Sequence, residues 1–291
     1  MKRSQVTLYL IALFCVTAWG SNFVFGSILV GQFNPGIIAI LRLFFILLFL
    51  YPLTRRHVKG SHPGRNGWLL LVIGGLVGVS FNQWSFYASL HYTDPVIASL
   101  ILALSPIVTV ALSGFFLKEK RGFLFWAGAG VGLAGVWLVI TKGTGFVPSI
   151  GKGEWLIGGT MLSFSIFLLL VQRMSATMET GVITWYTNLF GLIGLLPFVS
   201  WGALPEARLV GMEFWVMLVV TAIVMHGLCT YLWNGVIREA GASNIALLLN
   251  LEPFIAMLAS YLLLGNLMSV VQVVGGLIII AGILLSIRSR R

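Results

Sequence analysis

Ten apolar runs, each about 17–25 residues long, follow one another along this chain, and the short breaks between them hold nearly all of its charge. Each run matches the roughly 20 residues that a helix needs to cross a bilayer core about 30 Å thick. They cover about Val6–Val30, Pro35–Leu53, Trp68–Leu90, Pro95–Leu117, Phe123–Ile140, Trp155–Val171, Val182–Trp201, Phe214–Ile237, Ala242–Leu264 and Val270–Ile287. Charged residues make up 9% of the chain and hydrophobic ones 58%, whereas an average soluble chain carries about 25% charged residues. A folded body of this size still needs a polar skin. Soluble enzyme, disulfide-built scaffold and disordered linker are thereby excluded. The pattern predicts an all-α integral membrane protein with short loops.

Cys15 and Cys229 both fall inside apolar runs and read as small buried hydrophobes. The first run is too long for a signal peptide and nine others follow it, so it reads as a span. Charge placement orients the spans. With the N-terminus in the cytoplasm, 14 of the 18 Lys and Arg face inward: Lys2, Arg3, Arg55, Arg56, Lys59, Arg65, Lys118, Lys120, Arg121, Arg173, Arg238, Arg288, Arg290 and Arg291. Lys142, Lys152 and Arg208 face outward, and Arg42 lies within the second span. Both termini are therefore expected in the cytoplasm, in a cytoplasmic (plasma) membrane. The net charge of +10 faces anionic lipid there, and no nucleic-acid partner is expected.

Shifting the chain by 147 residues lays Pro106 on Pro253, Gly128 on Gly275 and Ala134-Gly135 on Ala281-Gly282. Leu100, Leu102, Leu104, Leu117, Leu138 and Ile140 meet Leu247, Leu249, Leu251, Leu264, Leu285 and Ile287. Leu and Gly matches come cheaply in so apolar a sequence, but a proline match inside a span does not. The shift predicts two five-helix repeats, 1–146 and 147–291. An odd number of spans per repeat inverts the second, which is the arrangement of carriers that rock two halves about a midplane site.

Several stretches now carry a resemblance. In the first half they are Trp19-Gly20-Ser21-Asn22-Phe23, Arg42-Leu43-Phe44, Phe86-Tyr87-Ala88-Ser89-Leu90, Ala98-Ser99-Leu100-Ile101, Ser105-Pro106-Ile107 and Lys118-Glu119-Lys120. In the second half they are Leu251-Glu252-Pro253-Phe254 and Gly275-Gly276-Leu277-Ile278-Ile279-Ile280-Ala281-Gly282. In this order the chain resembles the drug/metabolite transporter superfamily, in its ten-span EamA-like branch. Where that family usually has an acid after span nine, this chain has Gly265-Asn266. The resemblance implies small-molecule transport, most often export of amino acids or related metabolites. It also implies a central cavity lined mainly by spans one, three, four, six, eight and nine.

Two ionisable residues, Arg42 and Glu252, lie within the apolar runs. Each costs about 2.5–3.5 kcal/mol there on insertion scales unless it faces a cavity or a partner. Glu252 reads either as the carrier of a coupling proton or binder of a substrate ammonium, or as a structural partner, with Arg42 as one option. Arg42 reads as a structural anchor or as a binder of a substrate carboxylate. Pro106 and Pro253 are expected to kink their helices and free backbone carbonyls. The candidate substrate-binding residues are Trp19, Asn22, Asn82, Tyr87, Ser99, Ser163, Trp233, Asn234, Asn244 and Asn250. Any one of them is also explained by an interhelical hydrogen bond. His226 reads most simply as a helix-end histidine.

The glycine runs Gly74–Gly78 and Gly128–Gly132 carry the Gly-x-x-x-Gly spacing of close helix contact, within a monomer or a homodimer. No nucleotide, zinc or nucleophile motif is present, and no metal or other cofactor is expected. A secondary active carrier is the leading class, with an intramembrane enzyme or a facilitative channel as alternatives, and uptake or exchange of another small solute as an alternative within the class. The expected partners are a small-molecule substrate and the lipid bilayer.

Overall fold

In the computed structural model of the protein, residues 5–61, 63–117, 122–140, 151–240, 246–267 and 269–288 are described. These residues are helical throughout apart from short turns, and none of them forms a strand. In chain order the rods are α1 (Gln5–Val30), α2 (Pro35–Lys59) and α3, built from Arg65–Gly75, a π-helical turn Leu76–Phe81 and Asn82–Leu90. Next come α4 (Pro95–Leu102 and Ser105–Leu117), α5 (Phe123–Ile140), α6 (Lys152–Ser175) and α7 (Thr180–Leu195). Then α8 joins Met212–Val220, a π-helical turn Thr221–Leu228 and Cys229–Ala240; α9 joins the 3-10 stretch Ala246–Leu251 to Glu252–Leu264; α10 is Val270–Arg288. By length and composition six of these can cross a bilayer: α1, α2, α3, α4 over Pro95–Ser113, α6 and α8. Shorter apolar helices occupy Glu252–Leu264 and Val270–Gly282.

Local chemistry sets the helix starts. Asn34 and Asp94 each precede a proline, and each side chain caps the freed N–H groups: Gly36 N donates to Asn34 Oδ1 at 2.9 Å and Val96 N to Asp94 Oδ1 at 2.8 Å. Two boundaries differ from the apolar pattern. The second helix continues past Leu53 to Lys59 with Pro52 inside it, carrying its basic turn beyond the apolar run. The seventh ends at Leu195 rather than near Trp201, because Pro197 lacks an N–H and opens a 3-10 turn at Leu196–Phe198. Pro106 and Pro253 each stand where the hydrogen bonding of a rod changes: each is the second residue of an α-helical segment, Ser105–Leu117 in α4 and Glu252–Leu264 in α9. The first turn of a helix has no intrahelical partner for its N–H groups, so a proline there loses nothing.

Packing is pairwise and close. Helix α1 lies against α9 and α8, α6 lies against α4 and α3, α2 lies on α7, and α5 lies on α10. Glycines set the closest approaches. A Cβ added to Gly135 would stand 2.8 Å from Gly275 O and from Ile279 N, and one added to Gly282 would press on Gly132 and on the Gly128 carbonyl. Between α3 and α7, a Cβ at Gly75 would lie 2.9 Å from Thr187 O. Between α1 and α9, one at Gly20 would lie 2.9 Å from Glu252 O. The glycine runs read from the sequence thus serve contacts within this chain.

One charge is sealed into this packing. Arg42 of α2 has no exposed surface. Its guanidinium donates to Thr221 Oγ1, to Thr221 O at 3.2 Å and to Asn22 Oδ1 at 3.4 Å, and its Cζ lies 5.2 Å from the centroid of the Tyr87 ring. Thr221 opens the π turn of α8 and itself donates to Leu218 O at 3.1 Å. Arg42 therefore ties α2 to α1, α3 and α8.

Two stability outcomes follow. Gly135→Val overpacks the α5–α10 crossing and is expected to destabilise by about 1–3 kcal/mol, whereas Gly130→Ala, with no atom within 4 Å of the added Cβ, leaves the melting temperature in detergent unchanged. Thr221→Val takes an acceptor from a buried cation and is expected to cost about 1–3 kcal/mol, read as a drop in the same melting temperature; an unchanged value would show that Arg42 does not hold the helices together.

Candidate functional site

A cavity of about 90 Å³, part of it open to solvent, lies between α1, α3, α4, α6, α8 and α9. Helix α1 contributes Trp19, Asn22 and Phe23, and α3 contributes Gly78, Val79, Asn82, Gln83 and Phe86. Leu102 comes from α4, and Thr160, Phe164, Phe167 and Leu168 from α6. The remaining wall is His226, Thr230, Trp233 and Asn234 of α8 with Glu252 of α9. Helices α2, α5, α7 and α10 supply none of the described lining.

The wall is built from rings and amides. Trp19 meets Trp233 edge-on at 5.0 Å and Phe164 at 6.3 Å, while Phe23 meets Phe86 at 5.2 Å. These tilted and T-shaped pairs suit the ring quadrupoles and hold the walls apart. Asn82 Nδ2 donates to Thr160 O at 3.1 Å and to Ser163 Oγ at 2.9 Å, which joins α3 to α6. Gln83 Nε2 lies 3.0 Å from the His226 ring nitrogens, which joins α3 to α8. Asn234 Nδ2 donates to Thr184 Oγ1 of α7 at 2.9 Å. Both π turns reach the cavity, one through Gly78 and Val79 and the other through His226. A π turn inserts a residue into the helical register, and such turns concentrate at functional sites.

Glu252 stands apart from this network. It is the first residue of Glu252–Leu264 and only 5% of it is exposed, yet among the described residues its carboxyl makes no hydrogen bond and no ion pair. The pairing with Arg42, one of the two sequence readings, is not present; Arg42 takes Thr221 and Asn22 instead.

Of the sequence candidates, Trp19, Asn22, Asn82, Trp233, Asn234 and Glu252 come together around the cavity. Tyr87, Ser99 and Ser163 lie behind its walls, and each has an evident packing role. Tyr87 supports Arg42, Ser163 receives the Asn82 bond, and Ser99 Oγ donates to Val96 O at 2.7 Å, one turn back. Asn244 lies outside the described residues, as does the side chain of Asn250. His226 is not at a helix end but midway along α8, in its π turn. Gln83, Thr160, Phe164 and Thr230 were not singled out from the sequence. Thr160, Phe164, Phe167 and Leu168 stand at the spacings of one helix face, so periodicity alone could have grouped them.

A sequence profile of the EamA-like transporter family matches the chain over residues 6–141 and again over 151–288. An uncharacterized transporter, YyaM, of Bacillus subtilis (strain 168) is 27% identical over 290 residues, spanning 98% of this chain and 94% of that protein. A protein of Salmonella typhimurium named "Probable amino-acid metabolite efflux pump" is 23% identical over 295 residues, spanning 95% and 93%. A solved structure titled "Crystal structure of protein" superposes with a TM-score of 0.69 over 99% of both chains at 20% identity, which shows a shared fold. Sequence and architecture together place the chain in the EamA-like transporter family: it is a membrane transporter.

Proposed function

We propose that the protein is a secondary active exporter of amino acids or related small metabolites that works by alternating access at the cavity beside Glu252. The observation that carries this reading is the cavity itself: a partly open space inside a helical bundle, walled by six helices, with an acid on its lining that has no partner among the described residues. The name of the Salmonella relative supports export of an amino-acid metabolite.

Alternating access needs two related halves, and several observations support ten spans in two inverted repeats, 1–146 and 147–291. At the 147-residue offset the π turn Leu76–Phe81 falls on residues 223–228, within Thr221–Leu228, and the helix restart at Ser105-Pro106 falls on Glu252-Pro253. The helix contacts pair in the same way: α1 on α9 corresponds to α6 on α4, and α1 on α8 to α6 on α3. Across the α5–α10 crossing Gly135 meets Gly275 while Gly282 meets Gly128. These are the same two equivalent positions with their roles exchanged, as a two-fold relation requires. The excess of Lys and Arg in alternate breaks supports cytoplasmic termini in the plasma membrane.

Glu252 is the candidate carrier of a coupling proton. An acid held within the membrane without a fixed partner is expensive unless it serves a pathway.

In proteoliposomes, labelled and unlabelled substrate should exchange across the membrane in counterflow, which a channel or an enzyme does not support. Glu252→Gln is expected to lower pH-gradient-driven transport at least about tenfold, equivalent to 1.4 kcal/mol. A variant that keeps both rate and pH dependence removes the proton role.

A further inference from the structure

We infer that the cavity takes monovalent organic cations, amines carried on an aromatic or apolar body, in preference to zwitterions and anions. This rests on the exporter reading and on the cavity being the substrate site, and it narrows the substrate from amino acids to related amine metabolites.

The first argument is charge. Glu252 is the acid on the described lining, and no Lys or Arg joins it. His226 on the lining is engaged by Gln83 Nε2 at 3.0 Å, and Arg42, the one Lys or Arg inside the apolar runs, is withheld. It has no exposed surface, its guanidinium is held by Thr221 and by Asn22 in the wall, and its face rests on Tyr87. An incoming carboxylate therefore meets no Lys or Arg on the described lining, and the one Arg42 donor without a partner, Nε, is buried behind it, whereas an incoming ammonium meets a carboxylate that no described residue holds. Desolvating an anion into this site without a partner is heavily penalised; pairing a cation with Glu252 relieves that same penalty for both groups.

The second argument is the hydrogen-bonding character of what remains. The amides of Gln83 and Asn234 spend their N–H groups on His226 and Thr184, and Gln83 Oε1 and Asn234 Oδ1 are left as buried acceptors without a partner. With the Glu252 carboxylate, the spare capacity near the cavity is mainly acceptor. An ammonium is all donor and complements it. Trp233 Nε1 is the one buried donor without a partner among the described lining residues.

The third argument is the aromatic lining. Trp19, Phe23, Phe86, Phe164, Phe167 and Trp233 surround the space. Ring faces attract cations, most strongly when water is excluded, and they also pack a flat apolar body. A single carboxylate matches a single positive charge, and Arg42 behind the wall opposes a second one.

Three probes share a phenylalkyl body and differ in charge: phenethylamine, phenylalanine and 3-phenylpropionate. Purified protein is tested with each by thermal shift and by counterflow in proteoliposomes. Phenethylamine is expected to stabilise the protein and exchange at concentrations at least about tenfold below those needed for phenylalanine, a difference of 1.4 kcal/mol; 3-phenylpropionate should do neither. Glu252→Gln should abolish the amine response and Glu252→Asp retain a weakened one, with gel filtration and the ligand-free melting temperature confirming that both fold. Trp233→Leu should weaken amine binding several-fold. Phenylalanine acting as well as phenethylamine overturns the inference, as does a phenethylamine response that is absent or is unchanged in Glu252→Gln. Exchange of amino acids without exchange of amines would remove this inference alone; if neither class exchanges, the exporter reading falls with it.

Discussion

No water reaches the middle of a bilayer to satisfy a freed backbone group or a polar side chain, and every unusual feature of this chain answers to that constraint. Regular helix meets the need by default, so departures from it must find partners elsewhere. The restarts in α4 and α9 place prolines where no N–H is required. The π turns of α3 and α8 face a cavity and neighbouring helices: Thr221 O receives Arg42, and Ser80 Oγ in the other turn donates to Gly191 O at 2.6 Å. Asn82, Gln83 and Asn234 hold α3 to α6, α3 to α8 and α8 to α7. The polar groups of the bundle are its fastenings, and the glycines bring helices near enough for them to reach.

The same constraint divides the two intramembrane charges into different kinds. Arg42 is surrounded by acceptors and an aromatic face, and its burial is complete. A buried cation held through both of its terminal guanidinium nitrogens resists exchange of partners. Glu252 borders open space and holds nothing among the described residues. An acid in that position can trade one partner for another at little cost, which is what coupling to an ion or a substrate demands. The two residues look alike in a hydropathy trace. Their environments separate them.

Much of the helix pattern is legible in the sequence because apolar length and flanking charge are direct consequences of bilayer thickness. The ends are less so: Pro52 sits inside α2, whereas Pro197 closes α7, and only packing tells the two apart. Pro106 and Pro253 show a similar ambiguity, since a proline in an apolar run reads the same whether it bends one helix or opens another. The π turns leave no compositional mark. Each shifts the helical phase, so the face on which Gln83 and His226 reach the cavity does not follow from an unbroken helical period. Candidate binding residues divide for a related reason. Any polar side chain in an apolar run looks functional, and only the structure shows that Ser99 spends its hydroxyl on Val96 O while Asn22 reaches the cavity.

The proposed repeat sharpens the functional question because the chemistry does not obey it. At the 147-residue offset Glu252 falls on Ser105, Arg42 on Leu189, Thr221 on Gly74 and His226 on Val79. The scaffold features, by contrast, recur: helix restarts, π turns and the glycine crossing. Two inverted copies of a neutral bundle would enclose a cavity with no preference for charge. The acid and the sealed base are additions to that frame, the first in one repeat and the second in the other. Symmetric parts can supply the rocking motion, since equivalent contacts on either side make the two access states close in energy. Selectivity has to come from the residues that break the symmetry, and Glu252 is the one of these that both carries charge and borders the cavity.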